Sequence, residues 1–262
     1  LNLYRQELAT SNNINLKPVI LFKAKRTIKE SEQNKENFHQ LIDDFSVAMV
    51  EKIKKTSTVP VVQKAFRFFE TKGISGNEIV KRIQANFRFE NCLSANNDAE
   101  AEQNQILLNT LEDENNPIRA VFAVQKLNEG WDVLNLFDIV RLYNTRDADH
   151  KSGKVGKTTM SEAQLIGRGA RYCPFKLNDT QSLFQRKYDD DIENELRICE
   201  ELYYHSAHNP KYISELNKAL EQIGMKSIKT VQKRLYVKDS FKDTDMFKNG
   251  VLYLNKQTVY DR

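Results

Sequence analysis

Apolar residues fall in short, separated runs along the chain, and the spacing within each run predicts an element. Pro18–Ala24 reads PVILFKA after a polar stretch. This is a buried strand, with Pro18 at its first position, where no ladder donor is needed. Phe38, Leu41, Ile42, Phe45, Met49 and Ile53 then recur at three- and four-residue spacing, which predicts one helix with a single apolar stripe. Pro60–Phe89 is denser in Lys, Arg and Phe, with Gly73 and Gly76 breaking the pattern, and reads as a helical insertion. Asn91–Leu93 predicts a short strand, Asp98–Leu111 a helix, and Glu112–Pro117 a polar turn. Arg119–Val124 and Leu136–Tyr143 predict two more strands, Asn144–Thr158 a loop, and Thr159–Arg171 a helix.

Strands and helices in that order predict an α/β fold with a mainly parallel sheet flanked by helices. The texture changes after Pro174. Ile192, Leu196, Cys199 and Tyr203 mark one helix. Ile213, Leu216, Leu220 and Ile223 mark another, ended by Gly224. Leu235–Val237 and Val251–Leu254 are short β-like runs. The expected division is residues 1–175 as one lobe, with an insertion at about 56–95, and residues 176–262 as a helical extension and the start of a further unit. No internal repeat is visible.

Composition narrows the classes. The 262 residues are 40% hydrophobic and 29% charged, with only 9 Gly and 5 Pro, which excludes collagen-like and low-complexity chains. The net charge of +4 does not by itself specify a nucleic-acid partner. Cys92, Cys173 and Cys199 are too scattered for a disulfide framework or a zinc site, so a reducing, cytoplasmic setting and no bound metal are expected. No apolar run reaches a membrane span. The chain begins with Leu rather than Met and reads as a piece of a longer protein.

The segment richest in chemistry is Ser161–Pro174, SEAQLIGRGARYCP. On a helix, Gln164, Arg168 and Arg171 share one face, while Ala163, Ile166 and Ala170 share another and can pack on the sheet. Gly167 and Gly169 each cost such a helix about 1 kcal/mol relative to Ala, so close approach of an anion or a second backbone is expected there. A guanidinium suits bidentate phosphate binding; the alternative is a solvated basic face with incidental glycines. The second segment is Lys126–Val133, KLNEGWDV, after the strand Arg119–Val124. Ligands of parallel sheets bind at the carboxyl ends of strands. Gly130 allows close backbone approach, and Asp132 can accept from a sugar hydroxyl or serve as a turn carboxylate. Trp131 reads as a packing anchor, with base stacking as the alternative. Lys23, Lys25 and Arg26 close the first strand and suit phosphate contacts, or form a solvated basic run.

Gln-x-x-Gly-Arg-x-x-Arg on a helix, preceded by Glu-Gly-x-Asp after a strand, resembles motifs VI and V of superfamily 2 helicases. Leu127–Arg146 (LNEGWDVLNLFDIVRLYNTR) and Ala163–Phe175 (AQLIGRGARYCPF) resemble one family in particular, the Res subunit of type III restriction enzymes. Pro18–Ser31 and Leu202–Leu220 resemble it too, so the likeness runs from about Pro18 to Gly250. It implies the second RecA-like lobe of a two-lobe ATP motor, with ATP in the cleft between lobes. Arg171 then matches the arginine finger, Arg168 a second γ-phosphate contact, and Gln164 with Gly167 the same motif's ATP face. Gly130 and Asp132 match the motif V glycine and ribose-contacting aspartate. Lys126, with Lys23, Lys25 and Arg26, falls where the family touches the DNA backbone. The implied partners are double-stranded DNA and the methylase of the same system, in a bacterial or archaeal cytoplasm.

Parts of that machine are absent from the sequence. No Gly-x4-Gly-Lys-Ser/Thr occurs; Gly156-Lys157-Thr158 offers its tail, but Lys151 stands at the required first glycine. No DExH-type sequence and no Pro-Asp of a nuclease core occurs. The Mg²⁺ ligands are therefore expected from a first lobe elsewhere, and the isolated chain is expected to be inactive. Another superfamily 2 motor, or a non-enzymatic module of the same fold, remains an alternative reading. His205 and His208, three apart, read as capping or packing residues rather than metal ligands. Asp189–Asp191 with Glu193 reads as a solvated helix start.

Overall fold

Val19–Lys23 (β1), Cys92–Ser94 (β2), Ala120–Ala123 (β3), Leu136–Arg141 (β4) and Tyr203–His205 (β5) form one sheet in the order β2-β3-β1-β4-β5. Every neighbouring pair is parallel, with Leu21 opposite Val121 and Ile139, and Ile139 opposite Tyr204. Parallel neighbours need long crossovers, and helices supply them. The computed structural model describes residues 1–95, 101–113, 115–124, 135–144, 155–169, 175–182, 185–226 and 239–250, with the backbone alone at 101–103, 168 and 239.

Both faces of the sheet are covered, which explains why its strands are nearly continuous apolar runs. Val19, Leu21, Val121, Ala123, Leu136 and Ile139 turn toward Ala101–Asn109 (α6), Lys157–Gly169 (α7) and Pro210–Gln222 (α8). Phe22, Ala120 and Phe122 turn the other way, toward Ile28–Asp43 (α2) and Phe87. Phe22 stacks on Phe122 at 4.7 Å between centroids, and Phe38 of α2 meets Phe22 at 4.8 Å. Fully burying a ring or branched side chain of this kind contributes roughly 1.5–3 kcal/mol. The arrangement is α/β and compatible with a RecA-like fold.

A second cluster on that side gathers three further helices, Val47–Thr56 (α3), Pro60–Thr71 (α4) and Gly76–Asn86 (α5). Helices therefore occupy most of the stretch read as an insertion, but they begin at Val47 rather than at about 56. Ser75 caps α5 through a reciprocal pair with Glu78, and Gly73, at φ +67°, stops α4. Leu3, Tyr4, Leu8 and Ala9 of Asn2–Ser11 (α1) complete the cluster beside Phe69.

Three expectations need correction. The apolar stripe of Phe38 to Ile53 is two helices, because Asp44 ends α2 and Ser46 begins α3. The break puts the chain out of phase, so Leu41 and Ile53 are exposed. Residues Ile192 to Tyr203 form no α-helix: a 3-10 turn over Glu195–Glu200, capped by Asn194, leads into β5. Residues 176–226 are no separate extension, since they supply β5 and α8, and the compact unit runs from Leu1 to Lys226.

The second unit is Ser227–Arg262. Within it Asp239–Lys242 (α9) and Asp245–Asn249 (α10) bring Phe241 and Phe247 edge to face at 5.9 Å. The β-like runs Leu235–Val237 and Val251–Leu254 lie outside the described residues. No helix among the described residues is long and apolar enough to cross a membrane.

Candidate functional site

Parallel sheets bind ligands at their carboxyl edge, and here that edge is formed by the ends of β1, β3 and β4. The chain leaves β1 through Ala24, whose N–H donates to Ala123 O at 2.9 Å, and Leu142 N–H donates to Lys23 O at 3.0 Å. These bonds hold the three strand ends level. Lys25 is half-buried and Arg26 exposed in the turn beyond the strand. The N-terminus of α2 next to them is closed by its own residues. Thr27 caps it, and Glu30 Oε2 accepts from the N–H of Arg26 and of Thr27 at 3.2 and 3.3 Å.

Lys23 departs from the solvated basic run. Its relative exposure is 3%, and among the described residues its Nζ has no hydrogen-bond partner. Burial lowers the ammonium pKa from its ordinary value, opposed by the charge of Glu162 and assisted by that of Arg141. The side chain follows Val19 and Leu21 in the strand's alternation and so faces the α7 side.

On that side lies a buried polar network that the sequence did not single out. Glu162 of α7 is fully buried. Its Oε1 accepts from Arg141 Nε at 3.0 Å and from the Tyr143 hydroxyl, and its Oε2 accepts from the Tyr212 hydroxyl at 2.7 Å. Tyr204 of β5 meets the Tyr212 hydroxyl at 2.6 Å. Arg141 sits between the rings of Tyr143 and Tyr212, 3.8 and 4.0 Å from their centroids. Burial, with the nearby Glu162 carboxylate, pushes the hydroxyls of Tyr143 and Tyr204 well above their ordinary range; at Tyr212 burial and Tyr204 act with it. The network ties α7 to the end of β4 and to α8. The signal available in sequence was a charged residue inside each apolar run: Arg141 in a strand, and Glu162 beside Ala163.

The face division expected of α7 is present where it is described. Ala163 and Ile166 are buried and Gln164 is exposed, two residues past Glu162. Arg168 lies on the described backbone, while Ala170 and Arg171 lie outside the described residues, as do Lys126, Gly130, Trp131 and Asp132. The helix glycines meet side chains. A Cβ on Gly167 would lie 3.4 Å from Ile223 and 3.5 Å from Met225, ordinary contacts. One on Gly169 would come within 2.3 Å of Leu202 Cδ1. Packing against Leu202, on the approach to β5, and Leu136 of β4 thus accounts for Gly169 without an anion.

Gly156-Lys157-Thr158 is not the surface loop expected of it, because Lys157 and Thr158 open α7. The Gly156 N–H, a potential phosphate donor, is taken by Glu215 Oε1 at 2.7 Å. His205 is a packing partner, its Nε2 2.9 Å from Asp138 Oδ1. Asp138 also pairs with the fully buried Arg5 at 2.8 Å. Asp189 is held by Arg186 at 2.7 Å, and among the described residues no His, Cys, Asp or Glu group could hold a metal ion.

A family model described as the HI_1054_N N-terminal region matches residues 158–229, which include α7, β5 and α8. An uncharacterized protein of Haemophilus influenzae is 43% identical over 103 residues, covering 38% of this chain and 22% of that protein. A second protein of the same organism, named "Probable type III restriction-modification enzyme HindVIP Res subunit", is 32% identical over 178 residues, 59% of this chain and 34% of that protein. The chain thus spans about a third or less of these relatives. No solved structure matches.

Proposed function

We propose that this chain is the second RecA-like lobe, with part of the region downstream of it, of the ATP-driven DNA translocase subunit of a type III restriction-modification system. The carrying observation is the 32% identity over 178 residues to a protein named as such a Res subunit. The α/β architecture supports it, since a parallel sheet with α7 against it is the frame such a lobe needs. In this reading ATP and Mg²⁺ lie in a cleft between this lobe and a first lobe, which supplies the Mg²⁺ ligands. Arg171 stabilises the charge that develops on the transferring γ-phosphoryl group. Arg168 is a second phosphate contact and Gln164 lies on that exposed face, whereas Gly167, expected there too, is buried against Ile223 and Met225; Gly130 and Asp132 meet the ribose side.

Glu162 holds the α7 frame from beneath. Lys25, Arg26 and Lys126 contact the phosphates of double-stranded DNA. Lys23, buried at the end of β1, adds charge to the same edge rather than a surface contact. The whole protein is then a cytoplasmic ATP-dependent deoxyribonuclease that works with a modification methylase.

The test uses the full-length protein with its methylase. ATP hydrolysis that rises when duplex DNA is added is the expected result. A folded protein that binds neither ATP nor duplex, and hydrolyses none, contradicts the reading.

A further inference from the structure

Charge is distributed unevenly along the chain. Residues 47–88 carry nine Lys and Arg against three Glu, net +6, so the remainder of a chain of net +4 is negative by 2. This segment is α3, α4 and α5. Lys54 pairs with Glu70 at 2.5 Å, and Arg82 with Glu7 at 2.6 Å. Among the described residues the other seven cations of the segment, Lys52, Lys64, Arg67 and Lys72 among them, are exposed and make no ion pair.

The α4 cations are also ordered. Lys64, Arg67 and Thr71 recur at i, i+3 and i+7, and with Lys72 they line a cleft of about 640 Å³ against α1. Lys72 lies 5.8 Å from the Phe68 centroid, which keeps its stem on the helix. Glu193 and Glu195 also line the cleft, so the net cationic character of this face comes from α4 and its C-terminal end. Unpaired, exposed like charges at this density repel one another, and a polyanion relieves that repulsion. The 12 residues of α4 span about 18 Å, over which duplex DNA presents roughly ten phosphates.

We infer that the α3–α5 insertion is a docking surface for the phosphate backbone of double-stranded DNA, with Lys52, Lys64, Arg67 and Lys72 as its contacts. The inference rests on the proposed DNA motor and assigns it a surface far from α7 in sequence. Contacts of this kind position the duplex and read no bases.

The test compares this chain with Lys52→Gln/Lys64→Gln/Arg67→Gln/Lys72→Gln and with the control Lys176→Gln/Lys211→Gln/Lys218→Gln/Lys226→Gln, which loses the same charge elsewhere. Binding of a short labelled duplex of arbitrary sequence is followed by anisotropy between about 50 and 200 mM salt. The insertion variant should bind at least about tenfold more weakly at low salt, with a log–log salt slope shallower by about 0.9 per lost contact, while the control keeps most of both. Equal slopes for wild type and insertion variant, or an equal loss in the control, overturn the surface and leave the DNA motor standing. A wild-type chain with no affinity for duplex removes the DNA reading and the surface together. Displacement of the duplex by poly-glutamate as readily as by unlabelled duplex assigns the face to an acidic protein and overturns the inference.

Discussion

Asp138 shows how much one side chain can carry. Burial works against its ionisation, yet Arg5 at 2.8 Å and the hydrogen bond from His205 hold the carboxyl at about 2. An unfolded aspartate titrates near 3.9, so between about pH 4 and 2 the unfolded chain takes up the proton first. Stability from this group is complete above that window, on the order of 2 kcal/mol, and is lost as pH falls through it. Asp138→Asn should flatten the pH dependence of urea unfolding in that range. At neutral pH it should cost about 3–5 kcal/mol, because Arg5 stays buried without its partner. An unchanged urea midpoint would show that the pair is not coupled to folding. None of this was legible in sequence, since Arg5 and Asp138 lie 133 residues apart and only the sheet brings them together.

At the scale of elements, α7 is the most informative helix, and its two glycines make opposite predictions. Gly167→Ala adds a Cβ at ordinary contact distance and improves helix propensity, so it should stabilise the lobe by about 0.5–1 kcal/mol. Gly169→Ala drives a Cβ into Leu202 and should cost about 1–3 kcal/mol. Thermal melts of the two variants decide, and a Gly167→Ala that unfolds the chain would mean that the side chains around it have no room.

The strands β1, β3 and β4 and the helices α7 and α8 were legible because each is a periodic apolar run long enough to fix its type. β5 was not, since three residues, Tyr203 to His205, carry no alternation and borrow their pairing from β4. The break between α2 and α3 was missed because Phe45 continues the spacing through a pause set only by Asp44 and Ser46. At the site, the exposed face of Gln164 was readable from helical geometry. The burial of Lys23 and the Glu162 network were not, because they depend on which helix covers the end of β1.

For the molecule as a whole, the proposed motor needs a cleft of which this chain supplies one half. The isolated chain should hydrolyse no ATP with or without DNA, because neither Mg²⁺ nor the β-phosphate has its main ligands. DNA-stimulated hydrolysis from this chain above a mock preparation would contradict that. The most direct measurement is steady-state ATPase of full-length Arg171→Ala at saturating DNA, beside its thermal melt. A finger on the transferring phosphoryl group is worth on the order of 10³–10⁵ in turnover in well-studied nucleotide hydrolases. A surface arginine shifts stability by less than about 0.5 kcal/mol. Turnover should fall by at least about a thousandfold with the melt unchanged, and ATP affinity should fall less than turnover, because the charge Arg171 meets grows in the transition state. Near-normal turnover, or a collapsed melt, would contradict the assignment of Arg171 as the finger.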